Sequence, residues 1–95
     1  MRRRYVISYD ISDDKRRTRV FELLLGNGDH VQYSVFLADL LQRELIVLKA
    51  RLSDIINVRE DQVLFIDLGK ETRPLGESLE VIGRSYQPSS RSMVV

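Results

Sequence analysis

Alternating and helical patterns of apolar residues divide the chain into strands and helices. Strands are predicted at four places, by period-two alternation and by aromatic or β-branched content: 5–10, 31–37 (as one strand or two short ones), 62–68 and 79–83. Apolar residues recur at intervals of three and four over 40–56, which predicts the clearest helix of the chain. A shorter helix is expected over 14–25.

Small polar residues and glycines mark where these elements end. Ser12 or Asp13 can cap the shorter helix by accepting hydrogen bonds from its first backbone amides. The segment 26–28, Gly-Asn-Gly, can end this helix because both residue types tolerate the left-handed conformation. Gly69 ends the strand over 62–68, and a loop containing Pro74 follows it.

The order of the predicted elements favours one fold class. Strands that alternate with amphipathic helices indicate an α/β sandwich with both helices on one face of the sheet. The small arrangement of this kind is the ferredoxin-like βαββαβ fold, here with an extra C-terminal strand. A single domain is therefore predicted over 1–84. Residues 85–95, with Pro88 and several serines, are predicted to form a flexible tail.

Each predicted strand has two faces, and both contain apolar residues. One set is apolar throughout and is predicted to lie under the helices: Tyr5, Ile7, Tyr9, Val31, Tyr33, Val35, Leu37, Leu64, Ile66 and Leu68. The other set is mixed: Val6, Ser8, Asp10, Gln32, Ser34, Phe36, Val63, Phe65 and Asp67. A face that carries so many apolar residues rarely meets water alone, so a second copy related by a two-fold axis is predicted to cover it. The Asp10 side chains of the two copies would then approach each other.

Composition narrows the possible classes of protein. The chain has no cysteine, which excludes disulfides and thiolate metal sites. It has no apolar run of membrane-spanning length and no signal-peptide pattern at its N-terminus. A cytoplasmic protein is therefore expected.

Positive charge is concentrated near the N-terminus. Residues 1–19 hold seven basic and three acidic side chains, a net charge of +4, whereas the remaining residues carry a net charge of −3. Such a local field suits a polyanion, although on charge alone an ordinary solvated surface is the favoured explanation. Four of the basic residues, Lys15, Arg16, Arg17 and Arg19, lie in the first turns of the shorter helix, where they oppose the helix dipole. A bound phosphate would offset this unfavourable interaction with the helix dipole, and so would the negative charges of Asp13 and Asp14.

Asp10 is the candidate ligand for a metal ion. It ends the first strand, and hard cations such as Mg²⁺ prefer carboxylate oxygens. Two Asp10 side chains across a dimer axis, together with substrate phosphate, would form a plausible site that can generate a hydroxide. Asp10 can equally well form only a turn or a helix cap.

Several of these segments resemble one known family. Tyr-Val-Ile-Ser-Tyr-Asp-Ile over 5–11, the basic helix start over 15–19 and Val-Gln-Tyr-Ser-Val-Phe over 31–36 are similar to the small CRISPR-associated protein called Cas two. The similarity covers the first forty residues closely, and the order of elements extends it to about residue 84. The sequence departs from the family pattern at 37–39, which reads Leu-Ala-Asp.

The resemblance implies a fold, an activity and partners. It implies a ferredoxin-like homodimer in which the last strand joins the partner's sheet. It implies a Mg²⁺- or Mn²⁺-dependent endonuclease of antiviral defence that acts on single-stranded RNA or double-stranded DNA, and a role in spacer acquisition with the Cas one integrase. Asp10 matches the metal-binding residue of the family. The resemblance also places these residues near the catalytic site: Tyr9, Arg17, Arg19, Ser34 and Phe36.

Three functions are compatible with the sequence. A metal-dependent nuclease predicts that Asp10→Ala abolishes cleavage. A non-catalytic scaffold for the integrase predicts instead that charge reversal at Arg16, Arg17 and Arg19 weakens DNA binding. A regulatory module that binds a small molecule can share the same fold, although the combined motifs disfavour it.

Overall fold

The computed structural model describes residues 1–86, which form four strands, two α-helices and one turn of 3₁₀ helix. In chain order these are β1 Arg3–Asp10, α1 Asp14–Leu25, β2 Asp29–Gln32, β3 Val35–Leu40, α2 Gln42–Ile55, β4 Gln62–Gly69 and the 3₁₀ turn Leu75–Ser78. The predicted break in the second β segment is confirmed, since a turn at Tyr33 and Ser34 separates β2 from β3. The predicted strand over 79–83 is wrong, because no strand follows β4 up to residue 86.

The four strands form one antiparallel sheet in the order β2-β3-β1-β4. This order and the βαββαβ sequence of elements confirm the predicted ferredoxin-like class. The core forms where one sheet face meets both helices. It combines residues of the central strands with those of α1 and α2: Tyr5, Ile7, Tyr9, Phe36, Val20, Phe21, Leu24, Leu45, Leu48 and Leu52.

The predicted faces are correct for β1 and wrong for β3 and β4. Ile7 of the core face lies opposite Phe36 on β3 and Phe65 on β4, and cross-strand partners share a face. Phe36 is fully buried, and Phe65 and Val63 pack against the core. The residues predicted for the core face of these two strands lie on the opposite face instead: Val35 and Leu37 of β3 and Leu64, Ile66 and Leu68 of β4.

This opposite face, which we call the open face, carries an exposed apolar stripe. Leu64, Ile66 and Leu68 of β4 are 48%, 53% and 51% exposed, and we call them the β4 stripe. Ile66 and Leu64 lie directly opposite Val6 and Ser8 of β1. Because β4 is an edge strand, both the stripe and the outer backbone of β4 are accessible to another chain.

The segment after β4 crosses a different part of the open face and is held there by Arg4. The guanidinium of Arg4, only 2% exposed, donates to Asp39 Oδ1 and Oδ2 at 2.8 and 2.9 Å. It also donates to Ser78 Oγ at 2.5 Å and to the carbonyl oxygen of Arg73 at 2.6 Å. The hydrogen bonds to Asp39 raise the pKa of Arg4, so the charge persists despite its burial. These contacts fix residues 73–78 on the protein's own sheet and leave the β4 stripe uncovered.

The limits of the described chain bear on two further predictions. The division into a domain over 1–84 and a tail over 85–95 stays a prediction, because most of that tail, residues 87–95, lies outside the described residues. Between residues 1 and 86, no helix has both the length and the apolar composition needed to cross a membrane.

Candidate functional site

Asp10 lies exposed at the C-terminal end of β1. Its cross-strand partner is Gln62 at the start of β4, and both residues belong to the open face. The next residue, Ile11, is buried in the core and anchors the chain where it leaves the sheet. The Asp10 carboxylate is therefore presented to solvent from a fixed strand end, at the same face as the β4 stripe.

The loop after Asp10 leads directly into α1. Asp13 caps this helix, since its Oδ2 accepts a hydrogen bond from the backbone amide of Arg16 at 2.9 Å. Asp14 forms an ion pair with Arg17 one turn later. Both acids therefore offset the basic residues at the helix start, as one of the two sequence interpretations predicted, and neither carboxylate needs a metal ion to explain its position.

Asp61, which no sequence pattern indicates, organises this loop. Its carboxylate is fully enclosed and accepts hydrogen bonds from Arg16 Nε at 2.7 Å and Arg16 Nη2 at 3.2 Å. It also accepts from the backbone amides of Asn57 at 2.8 Å and Ser12 at 3.3 Å. The Arg16 hydrogen bond is the main cause that lowers the pKa of Asp61 from 3.8 to about 2. Asp61 thus ties the loop before β4 to the loop that follows Asp10.

The four basic residues predicted to bind nucleic acid fall into two groups. Arg16 is held by Asp61 and by Glu60, whose Oε1 lies 3.4 Å from Arg16 Nη2. Arg17 donates to the backbone oxygen of Ile11 at 2.9 Å in addition to its ion pair with Asp14. Lys15 and Arg19 are exposed. The exposed pair can meet a phosphate without breaking an ion pair that the structure shows, whereas Arg16 and Arg17 primarily fix the loop.

The end of β1 that carries Asp10 is supported by three of the predicted site residues, Tyr9, Ser34 and Phe36. The amide of Tyr9 donates to the carbonyl oxygen of Ser34 at 3.2 Å, which joins the β2–β3 turn to the end of β1. The rings of Tyr9 and Phe36 pack with centroids 6.4 Å apart, and burial raises the pKa of the Tyr9 hydroxyl. Since Phe36 is fully buried, it can serve the site only by supporting Tyr9 and the turn, and not by touching substrate.

One chain alone supplies few ligands for a metal ion. Among the residues that the structure describes, no three His, Asp or Glu side chains form a group able to hold a metal. Asp10 offers one exposed carboxylate of the oxygen type that Mg²⁺ and Mn²⁺ accept. One carboxylate leaves most of the coordination of such an ion to groups from outside this chain, such as substrate phosphate and water.

Stability in acid should depend on Asp61. Because the folded state lowers the Asp61 pKa to about 2, this carboxylate stabilises the fold above pH 3.8, and the contribution is lost as the pH falls towards 2. Asp61→Asn is expected to lower the melting temperature at pH 7 and to differ less from wild type at pH 2. Circular dichroism at several pH values measures this.

Glu71→Gln provides a matched control for that comparison. Hydrogen bonds from Arg73 lower the pKa of Glu71 to about 2 as well, but within the exposed segment after β4. Asp61→Asn should therefore weaken the loop after Asp10, and Glu71→Gln should leave it intact. An equal loss of melting temperature at pH 7 and pH 2 in Asp61→Asn would contradict the assigned role of its charge.

Comparisons with known proteins agree with this architecture. Residues 1–73 match the model of the family described as CRISPR associated protein Cas2. A Geobacter sulfurreducens protein named CRISPR-associated endoribonuclease Cas2 is 36% identical over 93 residues, which cover 96% of this chain and 95% of the relative.

Solved structures of similar proteins have the same fold. A Thermus thermophilus crystal structure, described as the hypothetical protein TT1823, superposes with a TM-score of 0.76 at 30% identity, over 94% of this chain and all of that one. The Streptococcus pyogenes Cas2 structure at pH 6.5 gives a TM-score of 0.69 at 26% identity, over 84% of this chain and 99% of that one.

Proposed function

The chain belongs to the Cas2 family, and from that premise we propose that it is a metal-dependent endonuclease. It hydrolyses phosphodiester bonds of RNA or DNA as a homodimer and takes part in spacer acquisition with the Cas one integrase. The name endoribonuclease, carried by a relative that aligns along nearly the whole chain, supports the reaction class. The observation that carries the proposal is the exposed Asp10 carboxylate, held at a strand end by a loop that Asp61 and Ile11 fix.

The residues around Asp10 have separable tasks in this reaction. Asp10 and Asp10 of the partner subunit would hold Mg²⁺ or Mn²⁺, and the bound ion would supply a nucleophile at neutral pH and neutralise charge on the phosphate. Lys15 and Arg19 attract the nucleic-acid backbone. Arg17 maintains the geometry of the loop through the Ile11 carbonyl oxygen. Tyr9 and Ser34 keep the strand end rigid through the hydrogen bond that joins them.

The β4 stripe supports the homodimer. Exposed apolar side chains in one row mark surfaces that another chain covers. The stripe lies on the open face with Asp10, so an isologous contact there places both Asp10 residues on the two faces that meet. The outer edge of β4 is also available for backbone pairing with a partner chain.

A nucleic-acid scaffold without catalysis is the second candidate. One observation favours it: Lys15 and Arg19 are exposed on the helix that follows Asp10, whereas no three acidic or His side chains within residues 1–86 form a group that could hold a metal ion. Phosphate binding needs the cations alone, whereas hydrolysis needs the second carboxylate as well.

Cleavage by the purified wild-type protein distinguishes the two candidates. End-labelled single-stranded RNA and double-stranded DNA are incubated with Mg²⁺, with Mn²⁺ and with excess EDTA, and the products are separated on denaturing gels. The nuclease predicts products with metal and none with EDTA. Binding in a gel shift without products under any metal condition would favour the scaffold and contradict the nuclease.

A further inference from the structure

Tyr33 is an exposed aromatic residue in an unusual backbone conformation. It occupies the turn between β2 and β3, is 72% exposed and has a φ of +38°. It is the only residue other than glycine with positive φ among those described. Bulky side chains rarely adopt this conformation, and such strain persists where the surrounding structure imposes it, often at sites of function.

Two contacts hold the Tyr33 backbone in place. The carbonyl oxygen of Tyr33 lies 2.6 Å from His30 Nε2, and because a carbonyl oxygen only accepts, Nε2 carries the proton. The His30 ring packs against the rings of Phe21 and Phe36, with its centroid 4.9 Å from each of theirs. The neighbouring Ser34 carbonyl oxygen accepts from the Tyr9 amide. The turn is therefore anchored to the core and presents the phenol ring outward.

The turn lies close to the candidate catalytic carboxylate. Tyr33 and Asp10 are each one residue away from the Tyr9–Ser34 hydrogen bond, Tyr33 on the turn and Asp10 on β1. A strand of a few nucleotides that brings a phosphate to Asp10 can therefore reach Tyr33 with a base. Tyr33 is 72% exposed, so most of its surface is open to such an approach.

We propose that Tyr33 stacks on an unpaired base beside the scissile phosphate and so selects single-stranded nucleic acid. The inference rests on the proposed function, because it concerns the same substrate. In a duplex each base is already covered by its neighbours, so a protruding phenol ring finds a free base face only on a single strand. Stacking on an aromatic side chain is tolerant of sequence because every base has a π-face.

The substitution Tyr33→Asn separates stacking from strain. Asparagine tolerates positive φ better than tyrosine does, so this variant removes the ring and relieves the backbone. Tyr33→Phe keeps the ring and loses only the hydroxyl. Fluorescence anisotropy in EDTA, which prevents cleavage, gives the affinity of each variant for a labelled 12-nucleotide single-stranded RNA and for a blunt RNA duplex.

The expected results differ between the two ligands. Tyr33→Asn should bind the single strand about 5- to 100-fold more weakly than wild type and the duplex about equally, and Tyr33→Phe should match wild type on both. Equal single-strand affinity of Tyr33→Asn and wild type overturns the proposal, and so does an equal loss on both ligands. A fall in the molecular mass of Tyr33→Asn also overturns it, because the ring would then act in assembly.

The wild-type control separates this inference from the proposed function. Wild-type protein that cleaves RNA while Tyr33→Asn binds normally refutes the stacking role and leaves the nuclease standing. Wild-type protein that neither binds nor cleaves nucleic acid refutes both.

Discussion

Asp10→Asn is expected to lower the rate of metal-dependent cleavage by about 100-fold or more. The amide keeps the shape of the side chain but removes the negative charge that attracts a divalent cation. In a symmetric dimer one substitution removes both carboxylates at once, so no partly charged site remains. Asp10 is exposed, and the structure records no ion pair for it, so the fold should tolerate the change. Single-turnover cleavage with excess protein measures the rate.

Asp54→Asn is the matched control for this experiment. Asp54 is also an exposed carboxylate, but it belongs to α2, in the helical layer on the other side of the sheet. Its replacement changes the net charge by the same amount and should leave the cleavage rate unchanged. Nucleic-acid affinity in EDTA should stay within about two-fold of wild type in both variants, since phosphate contacts come from cations. Unchanged cleavage by Asp10→Asn would exclude Asp10 as the metal ligand.

The sequence predicts the elements better than it predicts which face each strand buries. The helices over Asp14–Leu25 and Gln42–Ile55 have one apolar side, so periodicity alone locates them. In β4, four consecutive residues, Val63 to Ile66, are apolar, and alternation then fits either face. The choice is made by pairing with β1, which places Phe65 opposite the buried Ile7. The register between β4 and β1 depends on how the two strands pair in the folded sheet, so the sequence of β4 alone does not determine it.

The same limit applies to the site. Asp10 was identified because it ends a recognisable strand, and Asp13 because it precedes a helix. Asp61 belongs to no motif, since its partner Arg16 lies 45 residues away in sequence. Alternation along 31–37 predicts Tyr33 on the buried face, and the turn contains neither glycine nor asparagine, the residues that usually indicate positive φ. Contacts between distant segments and an uncommon backbone conformation are both set by the folded chain.

Ile66→Asp is expected to weaken the homodimer by about 100-fold or more. Ile66 is the middle residue of the β4 stripe and is 53% exposed in the single chain. In the proposed assembly its side chain enters an apolar contact, where an unpaired carboxylate loses its hydration without gaining a partner. Because the two-fold axis places two such charges in the interface, the cost is incurred twice. Sedimentation equilibrium at micromolar concentrations should give twice the chain mass for wild type and a single chain mass for the variant.

Ile46→Asp tests whether the effect depends on location. Ile46 is exposed to a similar extent, 58%, but it lies on α2, in the layer that covers the other side of the sheet. The two variants carry the same chemical change, so a dimer that survives Ile46→Asp and dissociates with Ile66→Asp assigns the interface to the open face. A monomeric Ile66→Asp should also lose metal-dependent cleavage while it retains Asp10, because one carboxylate then remains where the reaction needs two. Full cleavage by that monomer would refute the shared metal site even if the dimer itself is real.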